Sequence, residues 1–95
     1  MSYSQLDPIL NRWAASRGLH VLTAYRDSEV RSIDLVGAKG ARSQLWIQPP
    51  EETGRVTVHV WDYGTRRWDC EVDLDRLSEC LDIAFETASR WSRDS

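Results

Sequence analysis

The residues best suited to chemistry in this chain of 95 residues are a histidine and an aspartate on a predicted β-hairpin. Between Arg55 and Asp73, in RVTVHVWDYGTRRWDCEVD, apolar and polar residues alternate twice over, which is typical of paired strands with one buried face. A carboxylate beside an imidazole can orient the ring as a general base near neutral pH. We therefore consider His59 and Asp69, with Tyr63 nearby, as a candidate enzyme or small-ligand site.

The register of this hairpin follows from its chemistry. A three-residue loop, Tyr63-Gly64-Thr65, sets Val60 opposite Trp68 and keeps the apolar face continuous, although other odd-numbered loops remain open. A two-residue Gly64-Thr65 turn would oppose Val60 to Asp69 and mix the faces. On the polar face, the preferred register creates two charged or hydrogen-bonded pairs and one cation–π pair: Arg55 with Asp73, His59 with Asp69, and Trp61 with Arg67.

A structural cross-strand pair is the simpler interpretation of His59 and Asp69. Thr57 is the only hydroxyl that we expect on the same face, and the sequence has neither a nucleophile elbow nor a loop of oxyanion donors. A flat sheet face also lacks the concave pocket that excludes water from a reaction. We therefore predict no catalytic residues.

The remaining candidate ligands do not form a site in the sequence. His20 and His59 are far apart, and no H-x-x-x-H or C-x-x-C spacing occurs, so we predict neither a metal nor a cofactor. Cys70, on the inward face of its strand, can approach Cys80, near an apolar helical stripe. We interpret these cysteines as small buried apolar side chains, with thiols that stay reduced in a cytosol.

Two amphipathic helices are predicted to flank the strands. The first is capped by Ser4 or Asp7, has Pro8 in the favoured first position and stops at Gly18. The second is capped by Asp73 or Asp75. Its apolar stripe follows helical spacing and consists of Leu77, Leu81, Ala84, Ala88 and Trp91.

Three further strands precede the hairpin: Leu19 to Arg26, Val30 to Val36, and Ser43 to Gln48. The first two meet at an Asp27-Ser28 turn. The inward residues of the first strand remain open, either Leu22 and Ala24 or Val21, Thr23 and Tyr25. Because all strand connections are short, we predict an α+β two-layer sandwich in the order α-β-β-β-β-β-α. Its antiparallel five-stranded meander sheet carries both helices on one face.

Composition places the chain among ordinary globular proteins. With 41% hydrophobic and 28% charged residues, we expect a single domain over residues 1–95. No apolar run is long enough for a signal peptide or a membrane span, so we expect a cytoplasmic protein without a membrane partner. The net charge of −3 includes no basic stripe for nucleic acid. The preference for Arg over Lys suggests a GC-rich bacterial source.

The functional prediction rests on the sheet face that the helices leave uncovered. This face presents polar residues around two tryptophans: Gln44, Trp46, Gln48, Thr57, His59, Trp61 and Asp69. Aromatic residues with polar neighbours are typical of protein interfaces, whereas the alternative is that the two indoles only pack on each other and on Arg side chains. We predict a chaperone-, adaptor- or immunity-like protein-interaction module that binds a protein partner or a second copy. The alternative function is a small-ligand or enzyme site at His59 and Asp69.

Overall fold

The computed structural model describes residues 3–93 and has the predicted order of elements. Within this range the chain forms the helices α1 (Asp7–Ser16) and α2 (Leu77–Arg93), and short 3-10 helices at Ala38–Gly40 and Leu74–Arg76. The strands are β1 (Leu22–Tyr25), β2 (Ser28–Val36), β3 (Arg42–Ile47), β4 (Arg55–Trp61) and β5 (Arg67–Asp73). They pair antiparallel in the order β1-β2-β3-β4-β5, which confirms the α+β meander.

The core lies between one sheet face and the two helices. Val56, Val58 and Val60 alternate along β4 and are completely buried. They belong to the same apolar cluster as Leu10 of α1 and Leu81 of α2. Burying such a side chain contributes roughly 1.5–3 kcal/mol, so this cluster holds both helices on the inner face of the sheet, as predicted.

The β4–β5 hairpin has the register expected from its chemistry. The apolar pairs are Val56 with Val72, Val58 with Cys70 and Val60 with Trp68; the polar pairs are Arg55 with Asp73, His59 with Asp69 and Trp61 with Arg67. The Asp62 N–H donates to the Arg66 carbonyl, which leaves the predicted three-residue loop between them. The Asp62 carboxylate stabilises this loop by accepting hydrogen bonds from the N–H groups of Gly64 and Arg66, at 2.8 and 3.1 Å.

The first strand begins at Leu22, three residues later than predicted. The Leu19 N–H donates to the Ala14 carbonyl at 2.9 Å and therefore belongs to the end of α1. Gly18 adopts a φ of 66° there, the left-handed conformation that commonly ends a helix. The prediction of Gly18 as the stop signal is confirmed, but helix termination uses backbone that we had assigned to the strand.

The turn between β1 and β2 is displaced by one residue from the predicted Asp27-Ser28. Tyr25 pairs with Ser28, so Arg26 and Asp27 form the turn, and Arg26 has a positive φ of 56°. The pairing is irregular between Leu22 and Ala24, which breaks the alternation of the strand. All four residues of this edge strand are exposed, so neither predicted facing describes it.

Two of the aspartates predicted as helix caps, Asp7 and Asp73, contact arginines instead. Leu6 occupies the N-cap position of α1 without a side-chain cap, while the Asp7 carboxylate accepts hydrogen bonds from Arg31 at 2.7 and 3.0 Å. Asp73 precedes the Leu74–Arg76 turn, also without a capping bond, and its carboxylate accepts from Arg55 at 3.3 Å. Both aspartates are thus engaged by arginines of neighbouring strands.

Candidate functional site

The sheet register brings all seven predicted site residues onto the outer face, which is the sheet surface opposite the two helices. Because side chains alternate along each strand, residues in register form rows across the sheet. Three rows run from β3 through β4 to β5: Gln44, Trp61 and Arg67; Trp46, His59 and Asp69; Gln48, Thr57 and Glu71. The predicted residues therefore share one continuous surface.

His59 lies at the centre of this surface and is buried, with only 8% of its area exposed. The Trp46 ring stacks on the imidazole, with 4.7 Å between ring centroids and 20° between planes. The imidazole Nδ1 contacts the Asp69 carboxylate, and Nε2 lies 3.1 Å from the Gln48 amide oxygen. Both ring nitrogens face oxygen acceptors, so both contacts are hydrogen bonds when the imidazole carries two protons.

Asp69 connects this row to the edge of the sheet. Its carboxylate also accepts a hydrogen bond from Arg67 Nε at 3.2 Å. The hydrogen bond from His59 is the main cause that lowers the pKa of Asp69, and the Arg67 hydrogen bond and charge contribute in the same direction. The Arg67 guanidinium lies 5.6 Å from the Trp46 centroid, so its cation–π partner is Trp46 and not Trp61 as we predicted.

These contacts argue against His59 as a general base. Both of its nitrogens are engaged by Asp69 and Gln48, and Trp46 covers one face of the ring. A base needs a nitrogen within hydrogen-bonding reach of the substrate proton. The geometry instead matches the structural cross-strand pair. Within residues 3–93, moreover, no group of three or more His, Cys, Asp or Glu side chains is arranged to hold a metal ion.

The tip of the β4–β5 hairpin folds back over the outer face. Trp61 donates from Nε1 to the Gly64 carbonyl at 3.1 Å, and its ring lies 4.8 Å from the Tyr63 ring. The Tyr63 hydroxyl donates to the Asp34 carboxylate at 3.1 Å, and partial burial, followed by this hydrogen bond, raises the pKa of Tyr63. Tyr63 has a φ of 66°, which turns the loop towards the sheet. Trp61 is therefore held in place by its own loop.

Trp46 and Trp61 form a ridge between two concave regions. Both side chains are half-buried, less exposed than the alternation of the strands predicted. On one side they line a groove of about 660 Å³ that extends over Leu22 and Val30 to β1. On the other side a second concave region, of about 370 Å³, lies between the ridge and Arg67. The two indoles are thus accessible from both sides while their inner edges are packed.

The edge formed by β5 is partly covered. The Thr57 carbonyl accepts a backbone hydrogen bond from the N–H of Gln48, which directly follows β3. The backbone groups of Glu71, the β5 partner of Thr57, therefore point towards the open edge. Arg55 reaches across β5 and donates to the Glu71 carbonyl at 3.2 Å and to its carboxylate at 2.6 Å. A covered edge hinders the addition of another strand at β5.

The groove includes residues that sequence reasoning did not assign to the site. Leu22 and Val30 line it, and Tyr63 was considered only for the enzyme alternative. The irregular pairing of β1 is what directs Leu22 to this side, and alternation alone does not reveal such an irregularity. The sequence does contain a signal for Tyr63, because a tyrosine at a hairpin tip lies close enough to contact an aromatic residue two positions earlier, here Trp61.

No protein-family model matches the sequence, and no curated protein or solved structure matches it either. Between Tyr3 and Arg93, the helices are too short or too polar to cross a membrane.

Proposed function

We propose that the protein is a protein-interaction module whose outer face binds a second copy of the chain. The observation that carries this proposal is the ridge of Trp46 and Trp61 between two grooves, on a face that no helix within residues 3–93 covers. Aromatic anchors beside pockets, surrounded by a charged rim, are the usual anatomy of a protein interface.

The distribution of charge on the rim supports a second copy as the partner. One end of the face carries one base and two acids, Arg55, Glu71 and Asp73, and the opposite end carries two bases and two acids, Arg42, Arg67, Asp34 and Asp69. The first end therefore has a formal charge of −1, and the charges of the opposite end cancel. A two-fold axis that runs across the strands places the acidic end of one copy on the neutral end of the other, so that the two acidic ends do not repel each other.

The proposal is tested by measuring mass in solution over a range of concentrations by sedimentation equilibrium. We expect a dimer for the wild type, and a monomer for Trp46→Ser and for Trp61→Ser. Ile83→Ser is the matched control, because Ile83 is an exposed apolar residue of α2, away from the outer face. Far-UV circular dichroism establishes that each variant remains folded. A wild-type monomer, or a dimer that both Trp substitutions leave intact, contradicts the proposal.

Two charge reversals test this orientation of the copies. Because it places Asp73 of one copy near Arg67 of the other, either Asp73→Arg or Arg67→Glu should weaken the dimer. The double variant Arg67→Glu/Asp73→Arg restores opposite charges and should recover part of the lost affinity. A dimer that is insensitive to both single variants would contradict this orientation of the two copies.

We also propose that the protein acts by binding rather than by catalysis, as an adaptor or a chaperone does, and that it acts in the cytoplasm. The engagement of both His59 nitrogens supports binding rather than catalysis. The two free cysteines support a location in the cytoplasm. Capture of a different protein that requires Trp46 and Trp61, and that can be rebuilt from purified components, would replace the second copy as the partner.

A further inference from the structure

A small cavity lies under the C-terminal half of α2, on the inner side of the sheet and away from the outer face. It has a volume of about 120 Å³ and lies between α2 and the adjoining ends of β2 and β3. Leu35 and Ser43, which pair across these two strands, line its sheet side, and Phe85 and Ala88 line its helix side. The exposed Val36 also lines the cavity, so a small molecule can enter it from solvent.

The cavity exists because small residues face small residues at this end of the core. Along β3 the inward residues are Ile47, Leu45 and then Ser43. Along α2 the buried residues likewise change from Leu81 to Ala88. Protein interiors are normally filled to crystal-like density, and a serine opposite an alanine cannot fill the space that two leucines would occupy.

Ser43 gives this cavity a polar group that is available to a ligand. The residue is only 6% exposed, and its hydroxyl makes no hydrogen bond within residues 3–93. Among the same residues, no side-chain nitrogen or oxygen that is sealed from solvent lacks a partner, so the Ser43 hydroxyl must retain access to the cavity. Buried hydroxyls normally have a partner, and a hydroxyl can both donate and accept.

We infer that this cavity binds a small neutral ligand that has an apolar ring and one hydroxyl group, such as phenol. An apolar cavity of about 150 Å³ accommodates benzene, so a single ring matches the space available here beside the opening at Val36. The ring packs against Leu35, Phe85 and Ala88, and the ligand hydroxyl pairs with Ser43. None of the side chains that line the cavity is charged, so an ionised ligand lacks a partner there.

This inference goes beyond the proposed function and does not depend on it. The experiment titrates the folded full-length protein separately with phenol, benzene and benzoate, and follows the backbone amide signals by NMR. We expect saturable shifts at lining residues such as Gly37 and Ser89. Phenol should bind with a millimolar dissociation constant, as expected for a ligand of about seven non-hydrogen atoms. Benzene should bind about fivefold more weakly, because it cannot pair with Ser43, and benzoate should not bind.

Two variants of the cavity test the contacts. Ser43→Ala should weaken phenol binding about fivefold while benzene binding persists, because only the hydroxyl pair is lost. Ala88→Leu should fill the cavity and abolish binding of both compounds. Because a larger side chain can strain a packed core, far-UV circular dichroism first establishes that this variant is folded. Ser43→Ala provides the test on its own if Ala88→Leu does not fold.

Trp46→Ser is the matched control on the outer face and should bind phenol as the wild type does. The inference is overturned if phenol does not saturate, if a folded Ala88→Leu protein still binds it, or if the preference for phenol over benzene survives Ser43→Ala. Binding that requires Trp46 rather than Ser43 would place phenol on the outer face and would likewise overturn the inference. None of these readouts requires the chain to dimerise.

Discussion

Replacing Asp69 with asparagine tests the interactions that hold the centre of the outer face together. The substitution preserves the size and shape of the side chain but removes the negative charge that His59 Nδ1 and Arg67 Nε contact. His59 is 8% exposed and therefore has little access to water as a replacement partner. The perturbation thus leaves a buried imidazole with a weaker partner, without creating a cavity.

We expect the free energy of unfolding to fall by about 1–2 kcal/mol. A hydrogen bond to a charged group contributes roughly 1.5–3 kcal/mol, and solvent screening reduces this for Asp69, whose side chain is 47% exposed. In a domain of this size, each 1 kcal/mol corresponds to about 4–8 °C in the melting temperature. The expected decrease in melting temperature is therefore about 4–16 °C.

The effect of the substitution should depend on pH, and its sign follows from the pKa of Asp69. Hydrogen bonds from His59 and Arg67 lower this pKa below its ordinary value of 3.8. A carboxylate with a lower pKa in the folded state stabilises the fold at pH values above its unfolded pKa, and this contribution is lost as the pH falls through the folded pKa. The difference between the wild type and Asp69→Asn should therefore be complete near neutral pH and shrink below about pH 4.

Urea denaturation followed by far-UV circular dichroism measures this difference at neutral pH and at about pH 3. Asp27→Asn is the matched control, because Asp27 lies in the exposed turn before β2 and asparagine suits a turn equally well. The reasoning is refuted if Asp69→Asn is as stable as the wild type at neutral pH. It is also refuted if the loss of stability is the same at both pH values.

Two further substitutions test packing and the sheet edge. A Cβ at position 37 would lie 1.9 Å from Ser92 Oγ and 2.5 Å from Ser92 Cβ, so Gly37→Ala should cost about 1–3 kcal/mol in urea denaturation. Adding Ser92→Gly should recover part of this cost, whereas strictly additive effects would contradict the clash. Arg55→Ala uncovers the Glu71 carbonyl and should increase aggregation measured by light scattering, while Arg12→Ala, on the exposed surface of α1, should behave like the wild type. Equal aggregation of the two variants would show that Arg55 does not protect this edge.

The sequence was most informative where two independent patterns agreed. On β4 and β5 the alternation defines the two faces, and only an odd-numbered loop keeps Val60 opposite Trp68 while pairing His59 with Asp69. The first strand offers no such agreement, because neither facing creates complementary pairs. A local irregularity at Thr23 and the use of Leu19 by the end of α1 then determine its course. Both depend on backbone hydrogen bonds that periodicity does not encode.

The outer face shows a second reason why prediction fell short. Alternation tells which side of a sheet a residue occupies, but not what covers it there. Trp46 lies on the predicted side, yet it stacks on His59 of its own row and is approached by Arg67 from the adjacent row. Long side chains reach across rows as well as along them, so the choice between Trp46 and Trp61 as the partner of Arg67 depends on rotamers rather than on register.

The packing of the side chains on the outer face also determines which of them can bind a partner. Because His59 and Asp69 are already satisfied by neighbouring protein groups, a partner gains little by contacting them and would have to break their hydrogen bonds to do so. The accessible sides of Trp46 and Trp61, by contrast, carry apolar surface that remains in water in the monomer. Binding energy should therefore come from the two indoles, while the imidazole–carboxylate pair keeps the Trp46 ring fixed before contact. Asp69→Asn should accordingly weaken association less than Trp46→Ser. An equal or larger loss of affinity for Asp69→Asn would mean that the partner contacts the His59–Asp69 pair directly.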